Sequence, residues 1–346
     1  MNKVISFIVP SYNCEKFLDK CLGSFLNEEV LDKIEVVVVN DGSTDSTEQK
    51  ALEYADKYPE VFKVISQKNR GHGGALNAGT QAATGKYLKP IDADDWVVRD
   101  NLPTYVKALE ETDSDVVLTH HHTIDMTTGE KLKWMTYPDR FGEKYTLEEI
   151  MDNWKSFDRS LTFHGITYRT DFYKQNALPL SEHVFYEDHE FATIPCCLAQ
   201  SVTPLDVFVY QYRIGDTEQS VSDINQLKRI NHTEAVLKRL VKEQNITYDL
   251  GIQSGGKRYY EQKTQGLLLS FFTTAALVDP NKPRGRSNAK RLMTYFRKKM
   301  PGVAALAESQ YRVYMALNRL HISKKTYKKI LGTKLYNKLR GNHSFN

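Results

Sequence analysis

Cysteine is scarce in this 346-residue chain, with only Cys14, Cys21, Cys196 and Cys197, and no pair has the two-residue spacing of zinc or redox motifs. A disulfide framework and a zinc ribbon are therefore not expected. Long apolar runs are missing too. The greasiest stretch, residues 266–278, falls short of the roughly 20 residues that a membrane-spanning helix needs. The N-terminus enters the apolar segment 4–9 without a basic lead or a small-residue cleavage site, so no signal peptide is expected. No G-x-G-x-x-G follows the first predicted strand, which removes the main support for a dinucleotide cofactor. These absences predict a protein of a reducing, cytoplasmic compartment.

The length suits one large α/β domain with an appendage, or two domains with separate cores. Charge is unevenly divided. Residues 281–346 carry 17 Lys and Arg against one acid, a net +16, whereas the first 280 residues are net −12. A basic segment on an acidic body points to a partner of negative charge. No nucleic-acid motif accompanies the charge, so nucleic acid is set aside in favour of an anionic membrane surface.

The first 120 residues alternate short β-branched runs with helical periodicity, the pattern of βαβ units. Strands are predicted at residues 4–9, 34–39, 61–66, 87–91 and 115–119, and helices at 15–26, 75–83, 101–110 and after Asp45 as far as Tyr54. Gly71, His72, Gly73 and Gly74 read as a glycine-rich turn. His120, His121 and His122 read as loop, residues 207–212 as an antiparallel strand, and residues 280–286 as a linker. The divisions drawn from this pattern are 1–222, with halves 1–100 and 101–222, then a helical extension 223–280 and a basic helical tail 281–346.

Three carboxylates within four positions, Asp92, Asp94 and Asp95, follow a buried strand. Like charges that close raise one another's pKa, and a site that keeps them ionised usually holds a cation. Hard cations such as Mg²⁺ or Mn²⁺ bind through one or two carboxylates together with substrate phosphates. An acidic turn capping a helix is the plain alternative, but position disfavours it. Pro10, Ser11, Tyr12, Asp41 and the acidic run all fall at the carboxyl ends of predicted strands, where open α/β sheets bind ligands.

The ordered segments Phe7-Ile8-Val9-Pro10-Ser11-Tyr12-Asn13, Val38-Val39-Asn40-Asp41-Gly42-Ser43-Thr44-Asp45, Leu76-Asn77-Ala78-Gly79 and Ile91-Asp92-Ala93-Asp94-Asp95 resemble family 2 glycosyltransferases over residues 1–220. The resemblance implies the GT-A fold, a Rossmann-like α/β arrangement with a mostly parallel central sheet flanked by helices. It implies an inverting transfer of sugar from a uridine-diphosphate donor, with Mn²⁺ or Mg²⁺ as cofactor. Pro10, Ser11 and Tyr12 would hold the nucleoside, Asp41 the uracil, Arg70 the base or phosphates, and Asp92 the ribose. Asp94 would face the metal, and Asp95 would take either the metal or a structural role. Asp188 matches the family's base, with Glu187 beside it to hold its orientation or raise its pKa. Arg213 and Ser220 resemble a loop that folds over the diphosphate, and His164 lies where acceptor-side residues are common. The acceptor would be a hydroxyl of a glycan, polymer or lipid-linked intermediate, in cell-envelope polysaccharide assembly.

A stripe of Tyr327, Ile330, Leu331, Leu335 and Leu339 lies among the lysines of residues 324–340. It fits either a helix on the inner face of the plasma membrane or one docked on the acidic body. Two other functions compete with sugar transfer: a nucleotide-sugar-binding scaffold without turnover, and a nucleotidyltransferase that releases pyrophosphate.

Overall fold

The computed structural model describes residues 3–215, 222–249 and 252–331. It divides into two compact units, Met1–Thr217 with Lys242–Tyr260, and Glu218–Val241 with Glu261–Asn346.

Nine described strands of the first unit form one sheet: β1 (Ile5–Ser11), β2 (Ile34–Asn40), β3 (Phe62–Ser66), β4 (Tyr87–Pro90), β5 (Trp96–Val97), β6 (Val116–Asp125), β7 (Lys131–Trp134), β8 (Ile166–Arg169) and β9 (Val202–Ile214). Their order is β3-β2-β1-β4-β8-β6-β9-β5, with β7 paired to residues 121–124 of β6, off this path. The first four are parallel and alternate with the helices Glu15–Gly23, Thr47–Lys57 and Gly71–Ala82. β1 and β2 are buried along their whole length, as expected where both faces of a parallel sheet are covered. Their side chains join Leu18, Leu22, Phe25 and Tyr105 in one apolar core. Truncating one such residue to alanine costs about 2–5 kcal/mol.

The expected parallel pairing holds among β1–β4 and again between β6 and β9, with antiparallel strands inserted between and beside them. β8 runs antiparallel to both β4 and β6. β9 is longer than residues 207–212 and runs parallel to β6; it is antiparallel to the two-residue β5 and, at Val202, to Tyr145. Its breaks of register against β6 fall around His120; such irregularities re-aim side chains near sites. His120, His121 and His122 are not loop but the buried middle of β6, because pairing on both sides carries this polar run into the sheet.

The glycine-rich turn is also corrected. The helix begins at Gly71, so that Gly71, Gly73 and Gly74 make its first turns. A Cβ at Gly73 would collide with the Ser181 carbonyl oxygen, so the small residues serve close packing. Trp96 lies beneath the Lys20 ammonium, 3.1 Å from its ring centroid, and Trp154 packs edge-on against Tyr259. The four cysteines are buried, and none forms a disulfide.

In the second unit the helices Lys282–Lys299 and Pro301–Arg319 bury Leu292, Met293, Phe296, Val303, Ala307 and Met315. Residues 280–286 are not a linker. Arg284 pairs with the buried Asp279 at 2.8 Å, and Gly285 lies so close to the Ala275 carbonyl that a Cβ would overlap it. Asn318 Nδ2 donates to the Ala276 oxygen at 2.7 Å, and Asn318 Oδ1 accepts from Arg286 at 2.6 Å. Lys324–Leu331 forms a further helix. The rest of the predicted stripe, Leu335 and Leu339, lies outside the described residues. No described helix is long and apolar enough to cross a membrane.

Candidate functional site

The ends of β1 and β2 are tied to each other by side chains that the local sequence supplies. Asn13 adopts a left-handed backbone, φ +48°, which asparagine tolerates. Its Oδ1 accepts from the Thr44 N–H at 2.8 Å while Ser43 Oγ accepts from the Asn13 N–H at 3.1 Å. Glu15 and Asp45 repeat the exchange: Ser46 N–H donates to Glu15 and Glu15 N–H to Asp45. Asp41 is buried, and its Oδ1 accepts from the Arg70 N–H at 2.8 Å and from Gln67 Nε2 at 2.7 Å. Pro10 and Ser11 are buried, and the Ser11 hydroxyl donates to the Val9 carbonyl. The Tyr12 ring is 52% exposed beside them, able to face a flat ring.

The Arg70 side chain is engaged elsewhere. Its guanidinium grips Glu182 in a two-pronged ion pair. That pair belongs to a longer seam between the start of the helix Gly71–Ala82 and residues 180–190. The His183 N–H donates to the Arg70 carbonyl at 3.0 Å, and Asn77 exchanges two hydrogen bonds with the backbone of Leu180. Glu190 accepts from both the N–H and hydroxyl of Ser181, anchoring the segment to the helix Asp188–Thr193. Sequence reading passed over His72, which lies at the centre of this seam. Its Nδ1 is 2.5 Å from Glu187 Oε1 and its Nε2 is 2.9 Å from Asp92 Oδ1. Burial lowers the His72 pKa, but Asp92 and Glu187 outweigh it and hold the imidazole well above its ordinary value. One imidazole thus spans two carboxylates from distant parts of the chain. A lone polar side chain among glycines was the available signal.

The acidic run follows β4. Burial alone would raise the Asp92 pKa, yet His72 keeps it below the ordinary carboxylate value. Asp94 is partly exposed, with Arg213 Nη1 3.9 Å from Oδ2. Burial and the neighbouring Asp92 push its pKa up to about 6. Asp95 is buried, with both oxygens in use: the Tyr210 hydroxyl donates to Oδ2 at 2.6 Å and the Arg213 N–H to Oδ1 at 2.7 Å. Tyr210 also accepts from the Asp92 N–H at 3.1 Å. It therefore braces both ends of the run, a role its place in an ordinary apolar strand did not announce. Asp92, Asp95 and His164 each offer an atom within 4.8 Å of the others. This oxygen-rich set, with Asp94 destabilised as an anion by its surroundings, fits a hard divalent cation.

His164 is packed between Tyr212, Tyr210 and His121, with ring centroids 4.4, 4.8 and 5.1 Å away. Burial lowers its pKa against the pull of Asp92 and Asp188, so the imidazole lies within electrostatic reach of both carboxylates. Asp188 opens its short helix, and its side chain has no hydrogen-bond partner among the described residues. Beneath this group Lys89 is fully buried on β4, donating to the carbonyls of His164 and Ile166 at 2.8 and 3.1 Å. Burial alone brings its pKa down to about 7.

Asp92, Asp94, Asp95, Glu187, Asp188, His164 and Arg213 are thus gathered in one centre, with Asp41 and Tyr12 on its β1–β2 side. Arg70 turns its side chain to Glu182 instead. Ser220 lies outside the described residues.

Residues 6–175 match the sequence model of glycosyl transferase family 2. A putative glycosyltransferase, EpsH of Bacillus subtilis (strain 168), is 32% identical over 216 residues, covering 61% of this chain. The chain in turn spans only 60% of the length of that curated relative. Among solved structures, S. aureus TarS 1–349 superposes over 99% of this chain and 94% of its own, with a TM-score of 0.61 at 21% identity. The same protein has been solved with UDP-GlcNAc, at a TM-score of 0.51 over 92% of each chain and 21% identity. The mannosyltransferase PcManGT from Pyrobaculum calidifontis, solved with GDP-Man and Mn²⁺, gives 0.53 over 96% of this chain and 88% of its own, at 18% identity. The GT-A arrangement is therefore the fold of this chain.

Proposed function

Since this chain belongs to glycosyl transferase family 2 by the match over residues 6–175, we propose that it is an inverting glycosyltransferase moving a sugar from a uridine-diphosphate donor to a glycan, polymer or lipid-linked hydroxyl. The observation that carries this reading is the His72 ring that joins Asp92 to Glu187 at 2.9 and 2.5 Å, which brings the acidic run to the segment that bears Asp188. Tyr12 and Asp41 would take the uracil, and Asp92 the ribose. The binding of UDP-GlcNAc by TarS supports the choice of nucleotide. In the transfer, the acceptor oxygen bonds to the anomeric carbon as the bond to the diphosphate breaks, its electron pair leaving with UDP. The acceptor proton passes to Asp188. Glu187, held by His72, would orient that carboxylate.

Asp94, with Asp95 or His164, would hold Mn²⁺ or Mg²⁺, which when bound neutralises charge gathering on the leaving diphosphate. PcManGT, solved with Mn²⁺, supports that assignment. Asp95, already accepting two hydrogen bonds, suits orienting the run better than binding the ion. Arg213, 4.4 Å over the Phe17 ring and near Asp94, would face the diphosphate.

Asp188→Asn should lower kcat by about 10²–10⁴-fold and leave UDP affinity unchanged. Equal turnover by the variant would refute the assignment, and release of pyrophosphate from a nucleoside triphosphate would replace transfer with nucleotidyl chemistry. The helix Lys324–Leu331, with four lysines and a partly exposed Ile330, favours contact with an anionic membrane surface during polysaccharide assembly. Deletion from residue 324 should then abolish flotation with phosphatidylglycerol vesicles.

A further inference from the structure

Strand register carries a row of side chains out of the catalytic centre. Trp134 on β7 is opposite His121 on β6, which is opposite Tyr210 on β9. Direct cross-strand partners share a face of the sheet. The row begins where the Tyr210 hydroxyl meets Asp95 and ends at the surface: Asp95 is 1% exposed, His121 4% and Trp134 39%. His164 packs against both Tyr210 and His121, so its inner end is continuous with the site described above.

Two observations give this row the character of a binding surface. First, the Trp134 ring is fixed although exposed. Its indole N–H donates to Thr123 Oγ1 at 2.9 Å, and its plane lies 1° from that of His121, with centroids 5.8 Å apart. The Arg159 guanidinium stands 5.9 Å from the same ring. A ring held in place beforehand gives up little freedom on binding. Second, His121 Nδ1 is buried and has no hydrogen-bond partner among the described residues. An unmatched buried nitrogen is uncommon in folded proteins and marks a place where a ligand or water completes the structure.

The chemistry of the row is mixed. The exposed Trp134 indole stands beside the Arg159 guanidinium and the unmatched His121 nitrogen, whereas an acyl chain would call for an unbroken apolar groove. A pyranose presents both characters, with C–H groups on its faces and hydroxyls around its edge. We propose that the Trp134–His121 row is an acceptor subsite for carbohydrate, in which the indole of Trp134 carries a sugar ring of the acceptor beyond the reacting hydroxyl. This assignment rests on the transfer reading for its place in the reaction, but the binding itself can be tested apart from turnover.

The experiment compares wild-type protein, Trp134→Ala and Trp134→Phe on an array of immobilised oligosaccharides in the presence of UDP and Mn²⁺, with UDP binding followed by calorimetry. Wild type should retain a defined set of oligosaccharides. The alanine variant should lose them by tenfold or more, and the phenylalanine variant, which keeps an aromatic face, should hold them within a few-fold, both with unchanged UDP affinity. Equal retention by wild type and Trp134→Ala, or no retention of any oligosaccharide by wild type, would overturn the subsite. Trp134-dependent retention in a protein that binds no UDP would uphold the subsite and refute the transfer reading instead.

Discussion

Nδ1 of His72 lies 2.5 Å from Oε1 of Glu187, a residue 115 positions further along the chain. The other nitrogen of the same ring meets Asp92. One imidazole therefore fixes the acidic run and the base-bearing segment relative to each other, and several consequences can be measured.

His72→Gln removes the imidazole that bridges two carboxylates. Hydrogen bonds to charged groups contribute about 1.5–3 kcal/mol, so kcat should fall roughly 10–100-fold. UDP release under saturating donor measures it. Unchanged kcat would reduce His72 to a packing residue.

Tyr210→Phe deletes one hydroxyl and two hydrogen bonds, to the Asp95 carboxylate and from the Asp92 N–H. Because Asp95 is buried, the loss of stability should be about 1.5–3 kcal/mol, read from urea denaturation. UDP affinity in the presence of Mn²⁺ should weaken as well, since the run loses its brace.

Gly73→Ala tests the seam from the other side. The added Cβ would collide with the Ser181 carbonyl oxygen, which is backbone and can yield only by moving the segment that leads to Asp188. Overpacking of this kind costs about 1–3 kcal/mol, and kcat should drop while the affinity for UDP alone stays close to wild type.

The second unit has its own titration. Arg291, and then Lys238, lower the Glu234 pKa against the effect of burial, to about 2 from an ordinary value of 4.5. A carboxyl depressed on folding contributes stability that is fully present above the unfolded value and is lost as pH falls through the folded one. The window therefore runs from about pH 4.5 down to about pH 2. Both cationic partners are about half exposed, so screening reduces the contribution to about 1–2 kcal/mol. In Glu234→Gln that part of the acid dependence should vanish from urea midpoints measured between pH 5 and pH 2.5.

Much of the first half of the fold is legible in the sequence because its signals are local. β1 and β2 are continuous apolar runs, and Pro10, Asp41 and Asp92 punctuate strand ends within a few residues of each run. The second half is harder to read for the opposite reason. His120, His121 and His122 lie in a strand because β7, β8 and β9 pair with β6, and no polar run announces that its neighbours will bury it. The resemblance implies that Arg70 contacts the base or the phosphates, but Glu182, 112 positions away, takes its guanidinium. Residues 280–286 read as a linker from Pro and Gly. Proline at the start of a helix is well tolerated, and Gly285 is needed for contact with Ala275.

The sequence by itself determined the βαβ beginning, the acidic run after β4, the Glu187-Asp188 pair and the concentration of positive charge after residue 280, since each is written in consecutive residues. Only the tertiary structure decided that His72 joins Asp92 to Glu187, that Tyr210 and Arg213 occupy the oxygens of Asp95, and that Trp134 stands on His121. Those relations depend on strand register and on the close approach of distant segments, and they form only when packing brings the partners within hydrogen-bonding distance.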